Sequence, residues 1–254
     1  MAAVTVGVSL KMYFGHRQAA QWFARVAEVA RANAAVARGD IVVFVIPTYL
    51  QIPAAVAAFA GTGVQVGAQD VAAADAGAFT GEVSAAEIAE AGATLAEVGH
   101  AERRRLFGET DAVVAAKTAA ALRNGLTPVL CVGEPERQDA ADAAAATIAQ
   151  VRSALADAEP GAVVVAYEPV WAIGEAQPAP LAHIRAVVAA VRDAVRSLRP
   201  GSVVVYGGSA GPGLLGALGS DVDGLFLGRF AHDPAALAAV LDEASALVAG
   251  EVVA

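Results

Sequence analysis

The sequence predicts an α/β fold, a (β/α)8 barrel in a single domain over residues 1–254, and three observations predict it. Short β-branched runs alternate with longer alanine-rich stretches, which asks for a parallel sheet joined by right-handed helical crossovers. Eight such runs fit into 254 residues, so each unit takes about 32 residues, the size of one strand–helix repeat. The Gly-x-Gly-x-x-Gly fingerprint of a doubly wound dinucleotide fold does not follow the first strand.

Taken in order, strands start at Val4 in VTVGVSL, Ile41 in IVVFVI, Gly63 in GVQVGAQ and Ala93 in ATLAEVGH. They continue at Thr127 in TPVLCVGE, Ala162 in AVVVAYE, Ser202 in SVVVYGGS and Asp223 in DGLFLG. Between them, RQAAQWFARVAEVARANAAVA from Arg17 and AHIRAVVAAVRDAVRSL from Ala182 read as helix, because apolar residues recur at helical spacing. Residues 41–69 carry no charge, but Pro47, Thr48, Tyr49, Gln51 and Pro53 interrupt them. They read as strand, turn, short helix and strand, since a membrane span needs an unbroken apolar run of about 20 residues.

Composition narrows the function. The chain is 57% hydrophobic, with a net charge of −9. No basic patch runs through it, which argues against nucleic acid. An acidic protein that binds an anion must do so with local features. The single cysteine, Cys131, allows no internal disulfide and fits a reducing, cytoplasmic setting. The start, MAAVTVGVSLKMYF, shows no basic n-region and no cleavage pattern, so no secretory signal is read there. No Cys/His/carboxylate cluster has metal-ligand spacing, and neither metal nor organic cofactor is expected.

In such a barrel, chemistry sits where strands end. Those ends carry Ser9 and Lys11, Gln69 and Asp70, His100 and Glu102, Cys131 and Gly133, Glu168, Gly207-Gly208-Ser209, and Gly228-Arg229. A lysine, a histidine, a glutamate and two glycine-rich tips converge, supplying a base, an acid and an anion cradle. Glu168 is followed by Pro169, which biases it toward extended backbone, and then by the apolar loop Val170-Trp171-Ala172-Ile173-Gly174. A greasy loop there can close as a lid, expel water and raise the basicity of the carboxylate.

GHAERRRLFGET (99–110), YEPVWAIG (167–174), YGGS (206–209), GAFTGE (77–82) and LKM (10–12) together resemble triosephosphate isomerase and its close relatives, in the family's order. The resemblance implies a TIM barrel and a cofactor-free isomerase of a small phosphosugar acting through an enediolate. Glu168 takes the role of base, and Lys11 stabilises negative charge. His100, near a helix N-terminus, stays neutral and shuttles protons. A neutral histidine beside a glutamate base is the standard worked case of this family, and is carried over from it. Glu102 resembles the glutamate that pairs with the lysine. Gly174, Ser209 and Gly228 look like the phosphate-gripping positions, held by backbone N–H groups. The loop Gly77 to Glu82 resembles the segment that enters a partner subunit, which implies a homodimer.

Four departures from the family stand out. Ser9-Leu10-Lys11 replaces Asn-x-Lys, and serine offers one hydroxyl where asparagine offers an amide. Gly228-Arg229 replaces Gly-Gly, and Ala101 replaces the serine after the histidine. The lid ends GEAQ in place of GTGK. Glyceraldehyde 3-phosphate and dihydroxyacetone phosphate are the default substrates. Ser9-Leu10-Lys11 and Gly228-Arg229 resemble variants among family members that isomerise four-carbon ketose phosphates, which implies the alternative of a substrate such as erythrulose phosphate; a non-catalytic phosphosugar-binding barrel is a third reading. His16, His183 and His232 read as surface or packing residues, Arg103-Arg104-Arg105 as a solvated or salt-bridged face, and Cys131 as a buried, inert thiol.

Overall fold

The computed structural model describes residues 3–250. Eight parallel strands close into a barrel in sequence order, β1 pairing with β8. They are β1 (Val4–Ser9), β2 (Ile41–Ile46), β3 (Val64–Ala68), β4 (Leu95–Val98), β5 (Thr127–Val132), β6 (Val164–Tyr167), β7 (Val203–Tyr206) and β8 (Gly224–Leu227). Each lies inside a run read from the sequence, and helices cover the outside. This is a (β/α)8 TIM barrel.

The alternation of each strand builds two cores. Outward residues such as Val6, Val8 and Val98 join a large cluster with the helices. Inward residues Phe44, Leu95, Val129, Cys131 and Phe226 fill the barrel itself. A side chain on Gly7 would strike the Phe44 ring, so the glycine in β1 makes room for the largest inner residue of β2. Truncating Phe44 to alanine would cost about 3–5 kcal/mol.

Helix His16–Ala32 buries Ala19, Trp22, Phe23, Val26, Ala27 and Ala30, one stripe at helical spacing. The stretch from Arg17 is not one helix, as the periodicity alone suggests. Asn33 leaves the helical conformation and its side chain accepts from the N–H groups of Ala35 and Val36. It thereby caps a second helix, Ala34–Arg38. Helix Leu181–Leu198 follows its predicted stripe, burying Ile184, Val187, Val188, Val191 and Val195. The uncharged 41–69 segment is β2, a 3-10 turn at Tyr49–Gln51, helix Ile52–Phe59 and β3. Among the described residues, no helix is long and apolar enough to cross a membrane.

Candidate active site

Three strand tips meet at one mouth of the barrel. β1 ends at Ser9, and the chain then turns sharply, with Lys11 at φ 51°. A lysine in the left-handed region is strained by roughly 1–2 kcal/mol. Gln69 holds the turn, its Nε2 donating to the Lys11 carbonyl at 2.8 Å and the Ile46 carbonyl at 3.2 Å. The ammonium of Lys11 then stands 2.9 Å from His100 Nε2 and 3.2 Å from Glu97 Oε1. His100 Nε2 in turn lies 3.6 Å from Glu168 Oε2. Amine, imidazole and carboxylate therefore stand within 2.9 and 3.6 Å of one another at one mouth of the barrel.

His100 caps helix Ala101–Phe107, its Nδ1 accepting from the Glu102 N–H at 3.2 Å. That bond leaves Nδ1 the acceptor role, so the neutral ring carries its proton on Nε2, aimed into the mouth. Lys11 and His100 thus present two donors to each other at 2.9 Å. An oxygen lodged between them accepts from both.

Glu168 sits one residue past β6, its N–H donating to the Val132 carbonyl at 2.8 Å. A side chain on Gly133 would strike the Glu168 carbonyl, and one on Gly207 would lie 2.7 Å from its Cγ and Oε1. Both neighbouring strand tips are glycine because Glu168 packs against their backbones. Its Oε2 is buried with no hydrogen-bond partner within the described protein. A cavity of about 20 Å³, lined in part by Ala101, Cys131 and Gly133, adjoins it. Burial pushes the Glu168 pKa above its usual value, outweighing the attraction of His100 and Lys11. A carboxylate without a partner and short of solvent is a strong base.

The lid is pinned from both sides. Trp171 Nε1 donates to Glu134 Oε1 at 2.8 Å. Ser209, itself at φ 52°, places its hydroxyl 2.8 Å from the Ala172 carbonyl and 2.9 Å from that of Glu175. The Ala179 N–H donates to the Tyr206 hydroxyl at 3.0 Å. These bonds bring Gly174 (φ 80°) beside the tip of β7. A Cβ built on Gly174 would find the Arg229 guanidinium 3.8 Å away as its nearest neighbour. Gly174, Ser209 and Gly228-Arg229 therefore gather at one place, with an exposed cation beside the glycine turn.

Glu102 stands differently from the resemblance. Its side chain is 44% exposed and lies 3.7 Å from His100 Nδ1, while the carboxylate bonded to Lys11 belongs to Glu97. Glu97, not singled out from the sequence, is fully buried and also accepts from Ser9 Oγ at 2.8 Å. Burial resists its charge, but Lys11 and His100 overcome that, and its pKa falls below the usual value. Lys11 shows the complementary result: burial opposes its charge, but Glu97 and then Glu168 hold its pKa above normal. The signal for Glu97 was available. It shares the inner face of β4 with Leu95, and a lone glutamate on the inner face of an otherwise apolar strand requires a partner.

Cys131 is buried as expected, and burial raises its thiol pKa. It is nonetheless part of the site floor, with Sγ 3.9 Å from Glu97 Oε1. His183 packs on Trp171 and lies 3.3 Å from Glu134, behind the lid, and His232 packs on Tyr13 and Phe14. Arg103 bridges Asp70 and Glu109, and Arg104 pairs with Asp111, while Arg105 is exposed, so the run is a partly salt-bridged, partly solvated face.

A closed parallel barrel with this site defines a phosphosugar aldose–ketose isomerase. The family model described as triosephosphate isomerase matches residues 4–244. The chain belongs to the triosephosphate isomerase family. It is 50% identical over 251 residues to L-erythrulose-1-phosphate isomerase of Pectobacterium atrosepticum, covering 96% of each chain. It is 40% identical over 214 residues to L-erythrulose-1-phosphate isomerase of Mesorhizobium japonicum, covering 81% of this chain and 84% of the relative. It is 41% identical over 225 residues to triosephosphate isomerase of Thermus thermophilus, covering 84% and 86%.

Proposed function

We propose that this protein shifts the carbonyl of L-erythrulose 1-phosphate by one carbon, with Glu168 as base and Lys11 and His100 as donors to the two oxygens. The observation that carries the reading is the meeting of these three groups, 2.9 Å and 3.6 Å apart, beside Ser9. The likeness to L-erythrulose-1-phosphate isomerase, 50% over nearly the full length of both chains, supports the four-carbon substrate.

In a tetrulose phosphorylated on C1, the ketone is on C2 and the acidic C–H that the shift requires is on C3. Glu168 removes that proton, and the charge spreads over the oxygens on C2 and C3. Lys11 and the Nε2–H of His100 hold these oxygens. Glu168 returns a proton to C2, His100 moves a hydroxyl proton from one oxygen to the other, and the carbonyl emerges on C3. No atoms are gained or lost. A positioned base contributes roughly 10²–10⁴ in rate. Donors aimed at the developing charge contribute about 10²–10³ each in a dry site. The lid over residues 170–176 keeps that site dry, and Gly174, Ser209, Gly228 and Arg229 grip the phosphate.

The same machinery on triose phosphates is the second reading, favoured by the 41% identity to the Thermus triosephosphate isomerase. An assay of purified protein with L-erythrulose 1-phosphate, dihydroxyacetone phosphate and glyceraldehyde 3-phosphate side by side separates the two. Preference for the tetrulose supports the proposal, and preference for the trioses replaces its substrate. No turnover of any of them would leave a phosphosugar-binding barrel without catalysis.

We also infer a homodimer formed through the loop 77–82. Phe79 is 55% exposed in that loop, and Met12 and Leu50, on the turns after β1 and β2, are 90% and 79% exposed. Apolar side chains clustered at one rim mark an interface. A cytoplasmic setting fits the single buried thiol.

A further inference from the structure

We propose that Glu97 and Ser9 form a subsite for the terminal hydroxymethyl group of a tetrulose phosphate and so select four carbons over three. This rests on the isomerase reading above and names the side chains that choose its substrate.

Glu97 is a charged group, 2% exposed, standing at the mouth in which the reaction runs. Its Oε2 accepts from Ser9 Oγ at 2.8 Å. Its Oε1 lies 3.2 Å from Lys11 Nζ and 3.9 Å from both Cys131 Sγ and His100 Nε2. An ionised carboxylate offers about four lone-pair sites. Ser9 and Lys11 engage two of them, and the thiol is a weak donor at long range. Ser9 has given its only hydrogen to Glu97, so its own lone pairs stay open. The pair therefore presents acceptors to the mouth and no free donor.

A triose phosphate has no use for such acceptors. The oxygens on its two reacting carbons are taken by Lys11 and His100, and both become more negative as the proton leaves. A carboxylate alongside repels that charge, and the cost rises toward the transition state. One further hydroxyl on the carbon beyond the reacting pair reverses the sign, because it donates to Glu97 Oε1 in a charge-assisted bond. β4 stands across the barrel from β8, whose tip carries Gly228 and Arg229, so a substrate anchored there by its phosphate extends past Glu168 toward Glu97. On the β1 side, Ser9 is a shorter side chain than the asparagine of the family.

The test compares kcat/KM for L-erythrulose 1-phosphate, its 4-deoxy analogue and dihydroxyacetone phosphate, in wild type, Glu97→Gln and Ser9→Asn. Loss of the hydroxyl is expected to lower wild-type kcat/KM by about 10- to 100-fold. Glu97→Gln, which keeps the shape and removes the charge, is expected to narrow that gap by about five- to tenfold. Ser9→Asn is expected to lower the tetrulose-to-triose ratio. A merely structural role for Glu97 lowers all three substrates alike and overturns the proposal. So does a wild type indifferent to the C4 hydroxyl, a comparison that needs no variant to fold. Turnover of dihydroxyacetone phosphate with none of the tetrulose defeats the substrate reading and takes the subsite with it. Tetrulose turnover without dependence on the hydroxyl defeats the subsite alone.

Discussion

Gly207 packs so tightly on Glu168 that a methyl group on it would lie 2.7 Å from the Glu168 Cγ and Oε1. The tip of β7 is thus a mould for the Glu168 carboxylate, the proposed base. Gly207→Ala is expected to push Glu168 off its line of attack. Misplacing a reacting group by about 1 Å costs about 10²-fold, so kcat should fall by about that factor. KM should move little, since the proposed phosphate grip is elsewhere. The overpacking should also cost about 1–3 kcal/mol of stability. Steady-state kinetics checks the first effect and thermal melting the second, and an unchanged kcat would show that the base is positioned by something else.

Glu168→Gln keeps the volume and removes the base. Turnover should drop by about 10²–10⁴, while affinity for a phosphate-bearing inhibitor stays close to wild type. A loss of binding equal to the loss of rate would mean that Glu168 holds substrate and does not react with it.

The two buried glutamates give opposite pH signatures. Burial raises the Glu168 pKa above the ordinary 4.5. The proposed base acts ionised, so kcat/KM should fall as pH drops through that raised value, earlier than an ordinary glutamate would cause. For stability, a carboxylate whose folded pKa is raised opposes folding once ionised, and the penalty disappears as pH falls through the folded pKa. Glu168→Gln should therefore stabilise the protein at neutral pH by about 1 kcal/mol, and this gain should vanish in acid. Glu97 has a lowered pKa, so its contribution is present above the unfolded value and lost as pH falls through the folded one. Melting curves of both Gln variants from neutral to acid pH read the two signs.

The proposed phosphate grip includes Arg229, which stands where the family has a glycine. Its guanidinium is the nearest group to the Gly174 turn, at 3.8 Å from a built Cβ. A charge-assisted bond to phosphate is worth about 1.5–3 kcal/mol. Arg229→Gly should raise KM about tenfold or more and reduce the dependence of KM on salt, with kcat changed less. An outward-pointing arginine predicts no change in either, and titrating salt in both proteins separates the two.

The barrel was legible because its strands are short apolar runs, most of them β-branched, each bounded by glycine or a polar tip. Lys11, His100 and Glu168 were legible for a related reason: each stands at a strand end, where the chain leaves the apolar wall. For Glu97 the need of a partner was legible on the inner face of β4, but the partners were not, since Ser9 and Lys11 are 88 and 86 residues away. Pairing across the barrel is set by closure, and no local pattern records it. The break at Asn33 was missed for a local reason. Its helical neighbours share one apolar period, and only the side chain's turn back onto the N–H groups of Ala35 and Val36 ends the first helix.

Phe79 tests the partner. It sits 55% exposed on the loop 77–82, at the rim where Met12 and Tyr13 follow the turn that carries Lys11. If a second subunit covers these residues, it also braces the strained Lys11 backbone from outside. Phe79→Asp places a charge in an apolar contact and should shift the protein from dimer to monomer in sedimentation. The variant's activity per subunit should be low at any concentration, and that of the wild type should fall as dilution separates the dimer, because Lys11 loses its support along with the interface. A wild type that sediments as a monomer at micromolar concentration would remove the dimer, and activity independent of concentration would show that Lys11 is held by Gln69 and its own barrel alone.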